Sequence, residues 1–218
     1  MTNNTLAQQL IHAVEQADSA AKLLAAVQNL AAARLEETIP ILIAALGYNN
    51  PGAAVAAVDG LIAIGEPAVQ PLLELIDGYN YGARAWAIRA LAGIGDPRAL
   101  HTLLDAAKND FSFSVRRGAA KGLGNISWHL LPPKEIPGAQ VQSLEALLQV
   151  SQDPEWIVRY AAVVGLQSLG KAVSISHPSL LTQIFSQLQQ MAEQDLEITI
   201  RARVQMAQQH LQEGALVS

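Results

Sequence analysis

Apolar residues recur along this chain in short runs at three- and four-residue spacing, separated by brief polar breaks. Val55, Val58, Leu61 and Ile62 form one run, Leu72, Leu73, Leu75 and Ile76 a second, and Ile88, Leu91 and Ile94 a third. Further along come Leu100, Leu103 and Leu104. With 3.6 residues per helical turn, each set falls on one stripe of a helix. The breaks carry matching punctuation: Gly47-Tyr-Asn-Asn-Pro-Gly52, Gly65-Glu-Pro67, Gly95-Asp-Pro97 and Asp153-Pro154. Glycine tolerates the left-handed C-terminal cap, and proline suits a first helical turn.

The pattern also repeats itself. Ala53-Ala-Val-Ala-Ala-Val-Asp-Gly-Leu-Ile-Ala-Ile-Gly65 parallels Ala83-Arg-Ala-Trp-Ala-Ile-Arg-Ala-Leu-Ala-Gly-Ile-Gly95. The phrase returns as Val115-Arg-Arg-Gly-Ala-Ala-Lys-Gly-Leu-Gly-Asn-Ile126 and as Val158-Arg-Tyr-Ala-Ala-Val-Val-Gly-Leu-Gln-Ser-Leu-Gly170. A period of about thirty residues predicts stacked helix pairs, each too small to bury its own apolar face. The expected fold class is therefore all-α: an α-solenoid of about six helix pairs in a right-handed superhelical or crescent array. One repeat domain is expected over residues 1–218, with units near 5–33, 36–65, 66–95, 96–126, 139–170 and 178–212. The glutamine-rich last unit and the divergent first unit read as caps. Residues 127–138, Ser127-Trp-His-Leu-Leu-Pro-Pro-Lys-Glu-Ile-Pro-Gly138, break the rhythm. Their prolines oppose a regular helix, so an insertion loop is expected, and such loops often emerge on a binding face.

Composition narrows the function classes. Half the residues are apolar, yet aromatics make up 5% and alanine is abundant, which suits close helix stacking. A net charge of −5 argues against a nucleic-acid groove. The absence of cysteine excludes disulfides, thiolate metal sites and a cysteine nucleophile. No apolar run is long enough to span a bilayer, and Met1-Thr-Asn-Asn-Thr-Leu6 lacks the regions of a signal peptide, so a cytoplasmic protein is expected. His12, His101, His129, His177 and His210 are scattered without ligand spacing, and no metal site is expected. His129, beside Trp128 in the insertion, is the histidine retained as a weak catalytic candidate.

Register alignment brings out two rows. Arg84, Arg116, Arg159 and Arg201 occupy one position near the start of the second helix of their units. Asp77, Asp110, Asp153 and Asp195 lie near the ends of the preceding helices. The arginines can form a ladder with those acids that holds the stack together, or they can bind anions. Just before them come Tyr79, Tyr81, Phe111, Phe113 and Trp156, with Tyr81, Phe113 and Trp156 equivalent. Such residues either staple the turns or form a flat apolar strip along one rim. Trp86, on a second helix, reads as core.

The phrases Tyr79-Asn-Tyr-Gly-Ala-Arg-Ala-Trp-Ala-Ile-Arg-Ala-Leu-Ala-Gly-Ile-Gly-Asp-Pro-Arg98 and Asp110-Phe-Ser-Phe-Ser-Val-Arg-Arg-Gly-Ala-Ala-Lys-Gly-Leu-Gly-Asn125 resemble the HEAT-like repeats of the phycobilisome bilin lyases. They look most like the smaller, F-type subunits of the E/F-type phycocyanobilin lyases of α-phycocyanin. The resemblance implies a heterodimer with an E-type partner, a linear tetrapyrrole as substrate and α-phycocyanin as acceptor, joined through a cysteine thioether, with no cofactor beyond the substrate. It also implies a bilin-contacting set of Tyr79, Tyr81, Arg84, Phe111, Phe113, Arg116, Arg117, Trp128, Trp156 and Arg159. Asp110 is a weak candidate for the pyrrole nitrogens. An isomerising relative carries a His-Cys pair after the counterpart of Asn125. Here the chain reads Ile126-Ser-Trp-His129, which implies ligation without isomerisation. The alternative is a non-catalytic scaffold or chaperone that grips phycobiliprotein subunits during phycobilisome assembly or turnover.

Overall fold

The computed structural model of the chain describes residues 3–77 and 81–216, without the side chains of residues 3, 77, 81 and 214–216. Twelve α-helices and four short 3-10 turns make up its secondary structure, with no strand among the described residues. The expected all-α class is what the chain adopts. It partitions into two compact units, Met1–Asp96 and Pro97–Ser218.

The first unit contains α1 (Asn3–Glu15), α2 (Ala20–Ala33), α3 (Ile39–Ala45), α4 (Pro51–Ile64), α5 (Val69–Asp77) and α6 (Tyr81–Ile94). Caps fix where these helices begin. The Ser19 hydroxyl accepts from the Lys22 amide at 3.3 Å, and the Asn50 side chain accepts from the Ala53 amide at 3.1 Å. Asn50 also donates to the Ala20 carbonyl at 2.9 Å, so one side chain caps α4 and ties it to α2. Gly65 ends α4 with φ of 83°, in the region open to glycine. Leu30, Leu42, Leu61, Leu72, Ile88 and Leu91 are fully buried. Trp86 is half-buried rather than core, with the Arg89 guanidinium 5.8 Å from its ring centroid.

The second unit contains α7 (Leu100–Asn109), α8 (Phe113–Gly124), α9 (Ile136–Val150), α10 (Trp156–Val173), α11 (Pro178–Gln194) and α12 (Ile198–Leu216). Its core is built from Leu103, Leu123, Leu144, Leu147, Leu166, Ile184 and Leu188. Helices α8 and α10 meet through glycine: a Cβ on Gly124 would strike the backbone of Gly165, and one on Gly165 would strike the Ala120 carbonyl.

The 127–138 segment departs from the loop expected of it. Trp128–Leu130 forms a 3-10 turn, and Trp128 is 9% exposed, so its ring anchors the segment. Helix α9 already begins at Ile136, with Pro137 in its first turn. Proline there lacks only an N–H that would have no partner inside the helix, so it starts the helix rather than opposing it.

Candidate functional site

In the second unit, each turn between paired helices is closed by an aspartate. Asp110, Asp153 and Asp195 accept the amides of Ser112, Glu155 and Glu197 at 2.9, 2.9 and 3.0 Å. An aspartate that folds back on an amide two residues ahead shapes the turn locally. Six residues after each aspartate stands an arginine whose Nη1 returns to the carbonyls of that turn. Arg116 donates to Asp110 and Phe111 at 2.9 and 3.0 Å. Arg159 donates to Asp153 and Pro154 at 2.9 and 3.2 Å, and Arg201 to Asp195 and Leu196 at 2.7 and 3.3 Å.

The other edge of the guanidinium reaches the next repeat. Arg116 forks onto Asp153 through Nε at 2.7 Å and Nη2 at 3.1 Å. Arg159 does the same to Asp195 at 2.7 and 3.0 Å. Both pairs are largely shielded: the side chains of Asp153 and Asp195 are 8% and 6% exposed. The hydrogen bond from Arg159 holds the Asp195 carboxyl below the usual carboxylate range, against the opposing effect of burial. The hydrogen bonds that Asp153 and Asp195 accept push the guanidiniums of Arg116 and Arg159 further up.

This geometry decides between the two uses foreseen for the arginines. Arg116 and Arg159 each have Nε, Nη1 and one Nη2 donor engaged by carboxylates and carbonyls. A propionate would have to displace a bidentate, shielded aspartate, so these two belong to the ladder rather than to an anion site.

Because guanidiniums staple the turns at 110–112, 153–155 and 195–197 side by side, equivalent positions of those turns share one edge. The residues one and three places after each aspartate are apolar: Phe111 and Phe113, Pro154 and Trp156, Leu196 and Ile198. They are also strongly exposed, at 79% and 47% for the phenylalanines, 44% for Trp156, and 93% and 71% for Leu196 and Ile198. Phe113, Trp156 and Ile198 each open the second helix of their pair. The expected rim is therefore present in this unit, as an open surface rather than as buried staples. A shallow cavity of ≈ 530 Å³ lies beside it, lined by Lys108, Asp110, Arg116, Gln152, Asp153 and Pro154 among others. Leu196 and Ile198 were not among the residues foreseen. Their register, one and three places after Asp195, is the sequence signal that identifies them.

The remaining candidates separate. Tyr79 lies outside the described residues, as do the side chains of Tyr81 and Asp77. Arg84 belongs to the first unit and donates to the Ile76 carbonyl at 3.2 Å. Arg117 is half-buried next to the ladder, whereas His129 is exposed in the insertion. Trp128 is buried. Asp110 has one oxygen engaged by the Ser112 amide. Among the described residues no group of three or more acidic or histidine side chains is placed to hold a metal ion. Nor is any helix among them long and apolar enough to cross a membrane.

Comparison with known proteins adds a family. Residues 69–167 match the HEAT repeats. The chain is 62% identical over 206 residues to a phycocyanobilin lyase subunit beta of Pseudanabaena tenuis, covering 94% of this chain and 73% of that one. It is 54% identical to the phycocyanin alpha phycocyanobilin lyase CpcF of Synechocystis, covering 90% of each. Among solved structures, the complex of CpcE and CpcF of phycocyanin lyase from Nostoc sp. PCC7120 contains a similar chain, with a TM-score of 0.72 and 54% identity. That match covers 78% of this chain and 98% of the other. A designed armadillo repeat protein, at 16% identity and a TM-score of 0.53 over 95% of this chain, shares the fold alone.

Proposed function

The chain belongs to the F-type, or beta, subunits of the phycocyanobilin lyases, and from that premise we propose that it is one half of a heterodimeric lyase. With its E-type partner it attaches phycocyanobilin to a cysteine of α-phycocyanin. The acceptor's thiol adds across the vinylic end of the bilin. One carbon–sulfur bond forms, the thiol proton ends on the neighbouring carbon, and nothing is oxidised or expelled.

Such an addition asks the enzyme mainly for position: the conjugated rings must be held flat and the reacting carbon presented to the incoming sulfur. The acceptor supplies the thiol, so a chain without cysteine is suited to the task. The observation that carries the reading to residues is the exposed aromatic edge of the second unit. Phe111, Phe113 and Trp156 provide flat apolar surface, and Lys108 is a cation outside the ladder pairs that lines the cavity beside it. The pair of residues that follows Asn125 in an isomerising relative is missing, which supports ligation without isomerisation.

The test is co-expression of this chain with a bilin-producing pathway, the E-type partner and the α-phycocyanin acceptor, scored by covalent pigment on the acceptor. Leaving out this chain is expected to abolish labelling; labelling that persists without it removes the assignment. Unpigmented acceptor with all components present would instead favour the scaffold reading.

A further inference from the structure

Within the second unit α8, α10 and α12 lie side by side, and α7, α9 and α11 cover one side of that layer. The other side is marked by residues of α10 that escape burial at three- and four-residue spacing: Tyr160, Val164, Ser168 and Lys171. The equivalent stripe holds Arg117, Lys121 and Asn125 on α8, and Met206 and His210 on α12. Charge is sorted on this layer. Beyond the arginine row, its helices carry Arg117, Lys121, Lys171 and Arg203 against one acid, Glu213. Glu213 stands at the register of Lys171, at the far end of the stripe, and the exposed Glu155 and Glu197 belong to the turns. The covering helices hold Asp105, Glu145 and Glu193 with a single lysine, Lys108.

One of the cations is built in. Arg203 stands where the repeated phrase has Gly118 and Ala161, and Gln167 where it has Gly124. The two departures meet: Arg203 Nη2 donates to Gln167 Oε1 at 2.7 Å, with the guanidinium 5.9 Å from the Tyr160 ring centroid. Gln167 is 9% exposed, and its Nε2 lies 3.2 Å from Nδ1 of His210. Arginine only donates, so its bond turns the amide nitrogen toward His210, which accepts. The shielded Nη1 of Arg203 finds no acceptor among the described residues, so the guanidinium keeps donor capacity.

We propose that an acidic surface of the α-phycocyanin acceptor docks on this face, across Arg117, Lys121 and Arg203. The inference rests on the lyase reading above. Charge complementarity sets the chemistry of the occupant, and two arguments select the acceptor. A bilin needs a cleft that encloses it, and cavities of ≈ 440 and ≈ 530 Å³ in this unit lie between α7 and α9 and beside the turns instead. The E-type subunit stays with the chain, and lasting interfaces have apolar centres, whereas cations and amides dominate here. The acceptor must arrive bare and leave pigmented at every turnover. An interface of exposed charges suits that exchange, because it steers association and leaves no large apolar area to hold the product.

The test uses the full-length chain in complex with the E-type subunit, with Lys121→Gln and Arg203→Gln together. A second variant, Arg117→Gln with Lys121→Gln, leaves the Arg203–Gln167 contact intact and carries the test if the first loses helicity by circular dichroism. Binding of unpigmented α-phycocyanin to the heterodimer is measured by titration calorimetry without bilin, at low and high salt. Each pair is expected to raise the acceptor Kd about tenfold at low salt and to flatten its salt dependence. Affinity for the E-type subunit and KM for phycocyanobilin are expected to stay near those of the unaltered chain. An unchanged acceptor Kd would overturn the proposal. A weakened heterodimer would also overturn it, by placing the E-type subunit on this face. So would a raised KM for bilin with acceptor affinity intact, which would place the propionates here. If the unaltered heterodimer binds the acceptor through these cations but attaches no pigment, the lyase reading fails while the docking face stands.

Discussion

At the scale of single residues, two side-chain types divide the work of one edge. Each aspartate shapes its own turn and, at 153 and 195, also receives the arginine of the preceding repeat. Removing the arginine leaves a shielded carboxylate without its cation. Arg116→Ala is therefore expected to lower the unfolding free energy by about 3–5 kcal/mol, read by urea denaturation. The depressed Asp195 carboxyl sets the sign of the acid response. Its stabilisation is fully present above the pKa of an unfolded aspartate and is lost as pH falls through the lower folded value. Stability followed down from about pH 6 should drop below the usual carboxylate range, with a shallower drop in Asp195→Asn. At Phe113 the expectation concerns function. Phe113→Ala should slow bilin transfer about fivefold while leaving heterodimer affinity near that of the unaltered chain, since loss of one aromatic contact is worth roughly 1 kcal/mol. Pigment transfer at saturating partner checks it.

At the scale of helices, small residues decide which pairs come close. The glycine-rich phrases that reveal the repeat also set the approach of α8 to α10, where Gly124 and Gly165 each face backbone, Gly165 meeting the Leu147 side chain as well. Backbone cannot rotate aside as a leucine can, so Gly165→Ala is expected to cost about 3 kcal/mol. The first unit offers a contrast, because a Cβ on Gly93 would meet the side chain of Ile62. Thermal melts of Gly165→Ala and Gly93→Ala should rank in that order of damage. Helix boundaries were legible wherever a cap or a glycine C-terminus marks them, as at Asn50 and Gly65. They were not legible at α9, where proline density suggested a loop although Pro137 occupies the turn that tolerates it.

At the scale of the molecule, the sequence by itself determined the all-α repeat class and the two rows of arginine and aromatic residues. Each follows from local periodicity, and a repeat written several times over averages out its irregular copies. The family likeness was equally legible, because the tyrosine- and phenylalanine-rich phrases are contiguous in the chain. Tertiary structure alone decided what those rows do. Arginine at a fixed register can pair with an acid or wait for a ligand, and the choice depends on where the next repeat places its carboxylate, some 37 residues away for Arg116 and Asp153. Likewise, periodicity gives an aromatic at a turn no direction. Trp128 and Phe111 are both aromatic residues beside the breaks between helices, yet one is buried and the other is 79% exposed. Stacking of neighbouring repeats fixes which side of a turn faces solvent, and only that stacking turns a repeated phrase into an edge with an inside and an outside.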